Sequence, residues 1–170
     1  KPFYQSSIGM GLKAIPQETY IKFANRMFEE RGKHIERTVT EKVYSMFAGY
    51  TWFVQMMMNE LFALTAHGEW CKTDKIETAR KNVIQTQDSL YREILANLAT
   101  KQKQVLQAIA KEREAQGITS SAFIKKYNLP SASSVQAAVK GLMEKNLITQ
   151  TDGVYRVYDY FFADWLATEY

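Results

Sequence analysis

Between Val105 and Tyr158 the order of local signals leaves few folds open. Val105, Leu106, Ile109 and Ala110 recur at helical spacing. Thr119-Ser-Ser-Ala-Phe-Ile-Lys-Lys-Tyr127 follows as a short second helix. A hydroxyl cap starts it, since a side-chain oxygen can take one of the amides that a first turn leaves unpaired. Asn128-Leu-Pro-Ser131 turns the chain and restarts it. Val135, Ala138, Val139, Leu142 and Met143 then stand at i, i+3, i+4, i+7 and i+8, an apolar stripe for a third helix that Asn146 ends. Two β-prone runs come next, Leu147-Ile-Thr-Gln150 and Val154-Tyr-Arg-Val-Tyr158, joined through Thr151-Asp-Gly153. Asp-Gly marks a tight hairpin because both of its residues tolerate positive φ. Helix, helix, turn, helix, hairpin is the order of a winged-helix domain.

The residues before this module read as helices. Lys1 to Ile15 carries turn-formers without a period and reads as a connector. Pro16 suits a helix start, where its missing N–H costs nothing. Tyr20, Phe23, Ala24, Met27 and Phe28 repeat from there until Gly32. A second helix is expected over Thr38 to Ala48, with Val39, Val43, Met46 and Phe47 on one face and Gly49 as its stop. The third, Thr51 to Thr65, is apolar nearly all round, which predicts burial on several sides. A long fourth begins near Thr73 or Asp74 and carries Ile76, Ala79, Val83, Leu90, Ile94 and Leu98. The closing Asp159-Tyr-Phe-Phe-Ala-Asp-Trp-Leu166 is expected to be a last helix that packs Phe161, Phe162 and Trp165 against the wing or the bundle. The expected fold class is mainly α: a helical bundle over 1–98, then a winged-helix domain over 99–170.

Several function classes are disfavoured. No glycine-rich phosphate loop, no G-x-S-x-G elbow and no H-E-x-x-H pair occurs. Cys71 and His67 are near in sequence, but a nucleophile also needs a base held by a third group, and a lone thiol packs well as a small apolar side chain. With one cysteine and two histidines, His34 and His67, neither a disulfide nor a structural zinc site is expected. Met56-Met57-Met58 reads as core filling within a very apolar helix. The acids Glu29, Glu30 and Glu36 beside Arg26, Arg31, Lys33 and Arg37 read as a solvated, salt-bridged surface. The expectation is therefore no catalytic residue, no metal and no cofactor in this chain, and no membrane contact. The default setting is reducing and cytoplasmic. Lys1 is preceded by neither an initiator Met nor a signal-peptide pattern, so a longer parent polypeptide is expected.

Charge leaves DNA open. The 22 basic and 18 acidic residues give +4, divided evenly about Leu98. If the third helix buries Val135, Ala138, Val139 and Leu142, its other face shows Ser133, Gln136, Ala137, Lys140 and Glu144. Such a helix can enter the major groove, where Gln pairs bidentately with adenine and Ser with several bases. Lys125, Lys126 and, in the wing, Arg156 are candidates for phosphate contact, which sets register without reading sequence. A protein-interaction role, or packing against another domain of the same polypeptide, is the alternative.

Three stretches resemble the C-terminal half of bacterial and archaeal AAA+ or STAND-type ATPases. Lys1-Pro-Phe-Tyr4, with Ile15-Pro-Gln-Glu-Thr-Tyr20 and Phe23-Ala-Asn-Arg-Met-Phe28, is similar to the exit from the nucleotide core into the first lid helix. Phe47-Ala-Gly-Tyr-Thr-Trp-Phe-Val-Gln55 is similar to the lid motif, with Thr51 where the family has proline. Thr119-Ser-Ser-Ala-Phe-Ile, Ser131-Ala-Ser-Ser-Val-Gln136 and Tyr155-Arg-Val-Tyr-Asp159 with Trp165 resemble its winged helix and closing aromatic segment. The resemblance implies a lid-like bundle with Gly49, Tyr50 and Thr51 as an edge of the nucleotide. It implies a parent that binds ATP and Mg²⁺ through an N-terminal ATPase core, and partners that include that core and double-stranded DNA or another protein. Two further readings stay open, a transcription-regulator-like DNA binder with a helical dimerisation module and a protein-interaction scaffold.

Overall fold

The computed structural model describes residues 15–169. Apart from Ile15, the expected connector and the Lys1–Tyr4 part of the resemblance lie outside the described residues. The architecture is mainly α, a helical bundle followed by a winged helix. The described residues form two compact units that divide between Ala79 and Arg80. Their division falls inside the fourth helix, earlier than the Leu98 break expected from sequence. From Arg80 onward that helix packs on the C-terminal elements, with Arg80 on Asp164, Asp88 on Trp165 and Tyr91 on Phe162.

The first unit is built on α1 (Gln17–Glu29), α2 (Arg37–Met46) and α3 (Thr51–Ala63). Pro16 precedes α1 with φ −55°, and its carbonyl accepts from Tyr20 N at 3.0 Å. The core takes Tyr20, Ile21, Ala24 and Phe28 from α1, Val39 and Val43 from α2, and Phe53, Val54, Met57, Met58 and Leu61 from α3. Phe23, expected inside, is 39% exposed. α3, expected to be buried on several sides, buries Phe53, Val54, Met57, Met58 and Leu61, whereas Trp52 at its start is 57% exposed. Cations close the C-terminal end of α3, where the helix dipole favours them. Lys33 Nζ donates to the Phe62 carbonyl at 2.7 Å and Lys75 Nζ to that of Leu64 at 2.8 Å. A two-residue parallel ladder, β1 (His34–Ile35) with β2 (Trp70–Cys71), ties the loops together and stacks the His34 and Trp70 rings.

In the second unit the long α4 (Ile76–Ala96) enters from a 3₁₀ turn at Thr73–Lys75. Ile76, Ala79, Val83 and Leu98 are buried as expected, but between them the inward positions fall one residue later: Leu90 is 50% exposed, and Tyr91 and Leu95 are buried. The ring of Tyr91 stacks on Phe162 at 4.8 Å, and that pairing fills the site a leucine would have taken. Then come α5 (Thr100–Glu112), α6 (Ser121–Lys126), α7 (Ala132–Glu144), β3 (Ile148–Thr151), β4 (Val154–Val157) and α8 (Tyr160–Glu169). Ser120 Oγ caps α6 by accepting from Phe123 N, and Ser131 Oγ caps α7 by accepting from Ser134 N. Val135, Ala138, Val139 and Leu142 of α7 are buried as expected, but Met143 is 40% exposed. The hairpin pairs Ile148 with Val157 through Thr151 with Val154. Asp152 and Gly153 take φ of +51° and +77°, the two positive values a type I′ turn requires. Ala115 bridges Tyr155 on the other side of β4 as a one-residue third strand. Asp159 Oδ1 caps α8 by accepting from the amides of Phe161 and Phe162, and Phe161, Phe162, Trp165 and Leu166 are buried. Asp164, also buried, is held by Arg80 and Arg113. Among the described residues no helix is long and apolar enough to cross a membrane.

Candidate functional site

The outer face of α7 is a polar surface of the winged helix. Ser133, Gln136, Ala137, Lys140 and Glu144 are all exposed, because the stripe that α5 and the wing bury lies on the other side of the helix. At its N-terminal end three hydroxyls meet. Ser131 Oγ lies 2.9 Å from Ser133 Oγ and 3.2 Å from Ser134 Oγ. Lys101, at the start of α5, donates Nζ to Ser134 Oγ at 3.3 Å. Sequence reading missed Lys101, since nothing local signals a contact across 33 positions. The site therefore opens with a cation and a cluster of hydroxyls beside a helix N-terminus, which suits a negative group.

Toward its C-terminal end α7 faces the wing across a groove of about 550 Å³. Ile118, Val139, Met143 and Tyr155 form the apolar lining, and Gln136, Lys140, Glu144 and Gln150 the polar one. Lys140 and Glu144 bring one charge of each sign, so this half of the face has no basic excess.

Lys126 and Arg156 do not join that face as free cations. Lys126 Nζ donates to Glu112 Oε1 at 2.6 Å, and Tyr127 Oη donates to the same oxygen at 2.7 Å. The ammonium of Lys126 holds the Glu112 carboxyl below the usual carboxylate range, and Glu112 raises Lys126 in turn. Arg156 donates Nε and Nη2 to Glu114 Oε1 at 3.1 and 2.7 Å. Strand pleating adds a second reason. Successive side chains on β4 point to opposite faces, and Tyr155 faces the α7 groove, which turns Arg156 away from it. Lys125 is exposed, with no acidic partner among the described residues.

Gly49, Tyr50 and Thr51 form the sharp turn from α2 into α3. Gly49 has φ +74°, and a Cβ there would come within 2.6 Å of Tyr44 Oη. Tyr44 Oη in turn donates to the Ile15 carbonyl at 2.6 Å. Gly49 is thus enclosed and shapes the turn, while Tyr50 and Thr51 are open to solvent.

Elsewhere the chemistry is muted. Cys71 is fully buried, and that burial pushes its thiol above the ordinary range, away from a reactive thiolate. Among the described residues no three His, Cys, Asp or Glu side chains gather to hold a metal. Met57 and Met58 fill the core of the first unit.

Comparison with known proteins agrees with the fold. The family described as "Probable winged helix domain" matches residues 89–168. No curated protein matches the chain. Among solved structures it is similar to the Walker-type ATPase PABY2304 of Pyrococcus abyssi, at 20% identity and a TM-score of 0.64. That likeness covers 91% of this chain and 42% of the ATPase chain, so this chain spans less than half of that protein's length.

Proposed function

We propose that this chain is the helical lid and winged-helix arm of an ATP-binding P-loop protein of AAA+ or STAND type, working in a reducing, cytoplasmic setting. The observation that carries this reading is the extent of the likeness to the Walker-type ATPase. It runs through 91% of the chain, so it takes in the helical unit as well as the winged helix. ATP and Mg²⁺ would be held by a P-loop and an acidic motif on an N-terminal ATPase core, and the arm itself hydrolyses nothing. Tyr50 and Thr51 are the residues of the arm open to a bound base, with Gly49 fixing their turn. Nucleotide on the core would bias the helical unit between discrete orientations, and the winged helix would carry that change to a partner. The test is calorimetric titration of the polypeptide that joins this arm to its core with ATP and Mg²⁺. Saturable binding supports the reading, and a flat titration removes it.

A second reading concerns the partner. Ser133, Gln136 and Lys140 stand exposed on α7, with Lys101 at its start, an arrangement suited to duplex DNA. It is tested by fluorescence anisotropy with mixed-sequence duplex at two salt concentrations, beside Lys101→Ala/Gln136→Ala/Lys140→Ala. Salt-sensitive binding lost in the variant supports it. No binding at low salt assigns the α7 face to a protein surface.

A further inference from the structure

We propose that Glu112 and Glu114 act as discriminators, holding Lys126 and Arg156 so that the winged helix does not grip polyanion backbones indiscriminately. The arrangement turns on the residue between them. Arg113 closes α5 with φ +63° and sends its guanidinium to the buried carboxylate of Asp164. With Arg113 committed inward, its chain neighbours reach to two other elements. Glu112 takes Lys126 and Tyr127 from the end of α6, and Glu114 takes Arg156 from β4.

Glu112, Glu114, Lys126 and Arg156 together carry no net charge, so two of the cations that most resemble phosphate contacts are cancelled where they stand. Exposed ion pairs of this kind are individually weak, so the restraint is not a lock. It works by competition. A phosphate arriving at Lys126 or Arg156 must displace a carboxylate that is tethered beside it, and the displaced carboxylate stays near and repels the newcomer. A partner that engages α7 itself meets neither obstacle. The pairs thus favour partners recognised through Ser133, Gln136 and Lys140 over any passing nucleic acid. The inference holds whether the arm's proper partner is DNA or protein.

The test compares the 170-residue chain with Glu112→Gln/Glu114→Gln, using anisotropy of mixed-sequence duplex at low and moderate salt. Glutamine keeps an acceptor oxygen for Lys126, Tyr127 and Arg156, and circular dichroism melting confirms that the fold is retained. Each cation released to a phosphate steepens the dependence of log K on log salt by about 0.9, so the variant is expected to gain about 1.8 in slope and about tenfold or more in affinity at low salt. Adding Lys126→Gln and Arg156→Gln to that variant is expected to return both quantities to those of the unaltered chain. Glu29→Gln/Glu93→Gln, the same charge change at exposed positions outside these pairs, is expected to gain little. If the double variant melts early, Glu114→Gln alone carries the test, with about 0.9 in slope. No gain in a folded variant, or an equal gain in the Glu29/Glu93 control, overturns the inference. Duplex binding by the unaltered chain bears only on the second reading above.

Discussion

Removing the carboxylate of Asp164 tests whether the second unit is fastened by charge as well as by aromatic packing. The perturbation is Asp164→Ala. In the native chain this side chain is 7% exposed, with Arg80 donating Nε to Oδ2 at 2.5 Å and Arg113 reaching Oδ1. A hydrogen bond between charged groups contributes about 1.5–3 kcal/mol, and a solvent-exposed ion pair about 0–1 kcal/mol. Arg80, 27% exposed, falls near the lower end of the first range, and Arg113, 50% exposed, falls in the second. The expected cost is therefore about 2 kcal/mol. It stays short of the ~3–5 kcal/mol of a stranded buried charge, because both guanidinium groups can reach water once the carboxylate is gone. The assay is urea unfolding followed by tryptophan emission. Trp52 and Trp70 are 57% and 52% exposed, whereas Trp165 is 2% exposed, so the signal change reports the unit that holds Asp164. With an m value of about 2 kcal/mol/M the midpoint should fall by about 1 M. Arg80→Ala should cost more than Arg113→Ala. A fall below about 0.25 M, or the reverse order of the two arginines, would refute the ranking by exposure.

Gly49→Ala should destabilise the first unit by about 1–3 kcal/mol, since alanine is strained at φ +74° and its Cβ meets Tyr44 Oη; an unchanged melting temperature would contradict this. Gly153→Val should loosen the type I′ turn at φ +77° by about 1 kcal/mol, visible as faster amide exchange along β3 and β4 but not along α7. Burial pushes Tyr20 up to about 12 from an ordinary value near 10. The folded value lies above the unfolded one, so this stabilisation is complete below pH 10 and is lost as pH rises through 12. Thermal midpoints should fall across that window, and less steeply in Tyr20→Phe; parallel curves would exclude Tyr20 as a source of the loss.

The winged helix was legible because each of its parts is announced locally. The i, i+3, i+4 stripe from Val135 to Leu142 settles the inner face of α7, and Asp152-Gly153 settles the turn by backbone conformation alone. Where the reading departed from the structure, the deciding partner was distant in sequence. Leu90 fits a helical period as well as Tyr91 does. Tyr91 is the one taken inside because Phe162 offers its ring a stacking surface and Asp159 lies within reach of its hydroxyl. The β1–β2 ladder likewise has no signal of its own. Two residues cannot show a period, and their pairing depends on the turn that brings Glu69 opposite His34.

The candidate site divides along the same line. Exposure of Ser133, Gln136 and Lys140 follows from helix geometry once Val135 and Val139 are known to be inside, so sequence could place all three. Whether a lysine or arginine is available to a phosphate is a different kind of fact, because it depends on which carboxylate lies opposite. Arg156 and Glu114 are separated by 42 positions, and only the strand pleat and the bridge from Ala115 to Tyr155 bring them together. Lys126 meets Glu112 because α6 lies against the end of α5, which no spacing rule foretells. The same logic runs in the other direction for Lys101, an ordinary helix-start lysine in sequence that the packing of α5 on α7 delivers to the hydroxyls of the α7 N-terminus. A count of basic residues therefore does not say which of them already face a carboxylate. The structure pairs Lys126 with Glu112 and Arg156 with Glu114, leaves Lys125 exposed, and brings Lys101 to the hydroxyls at the α7 N-terminus.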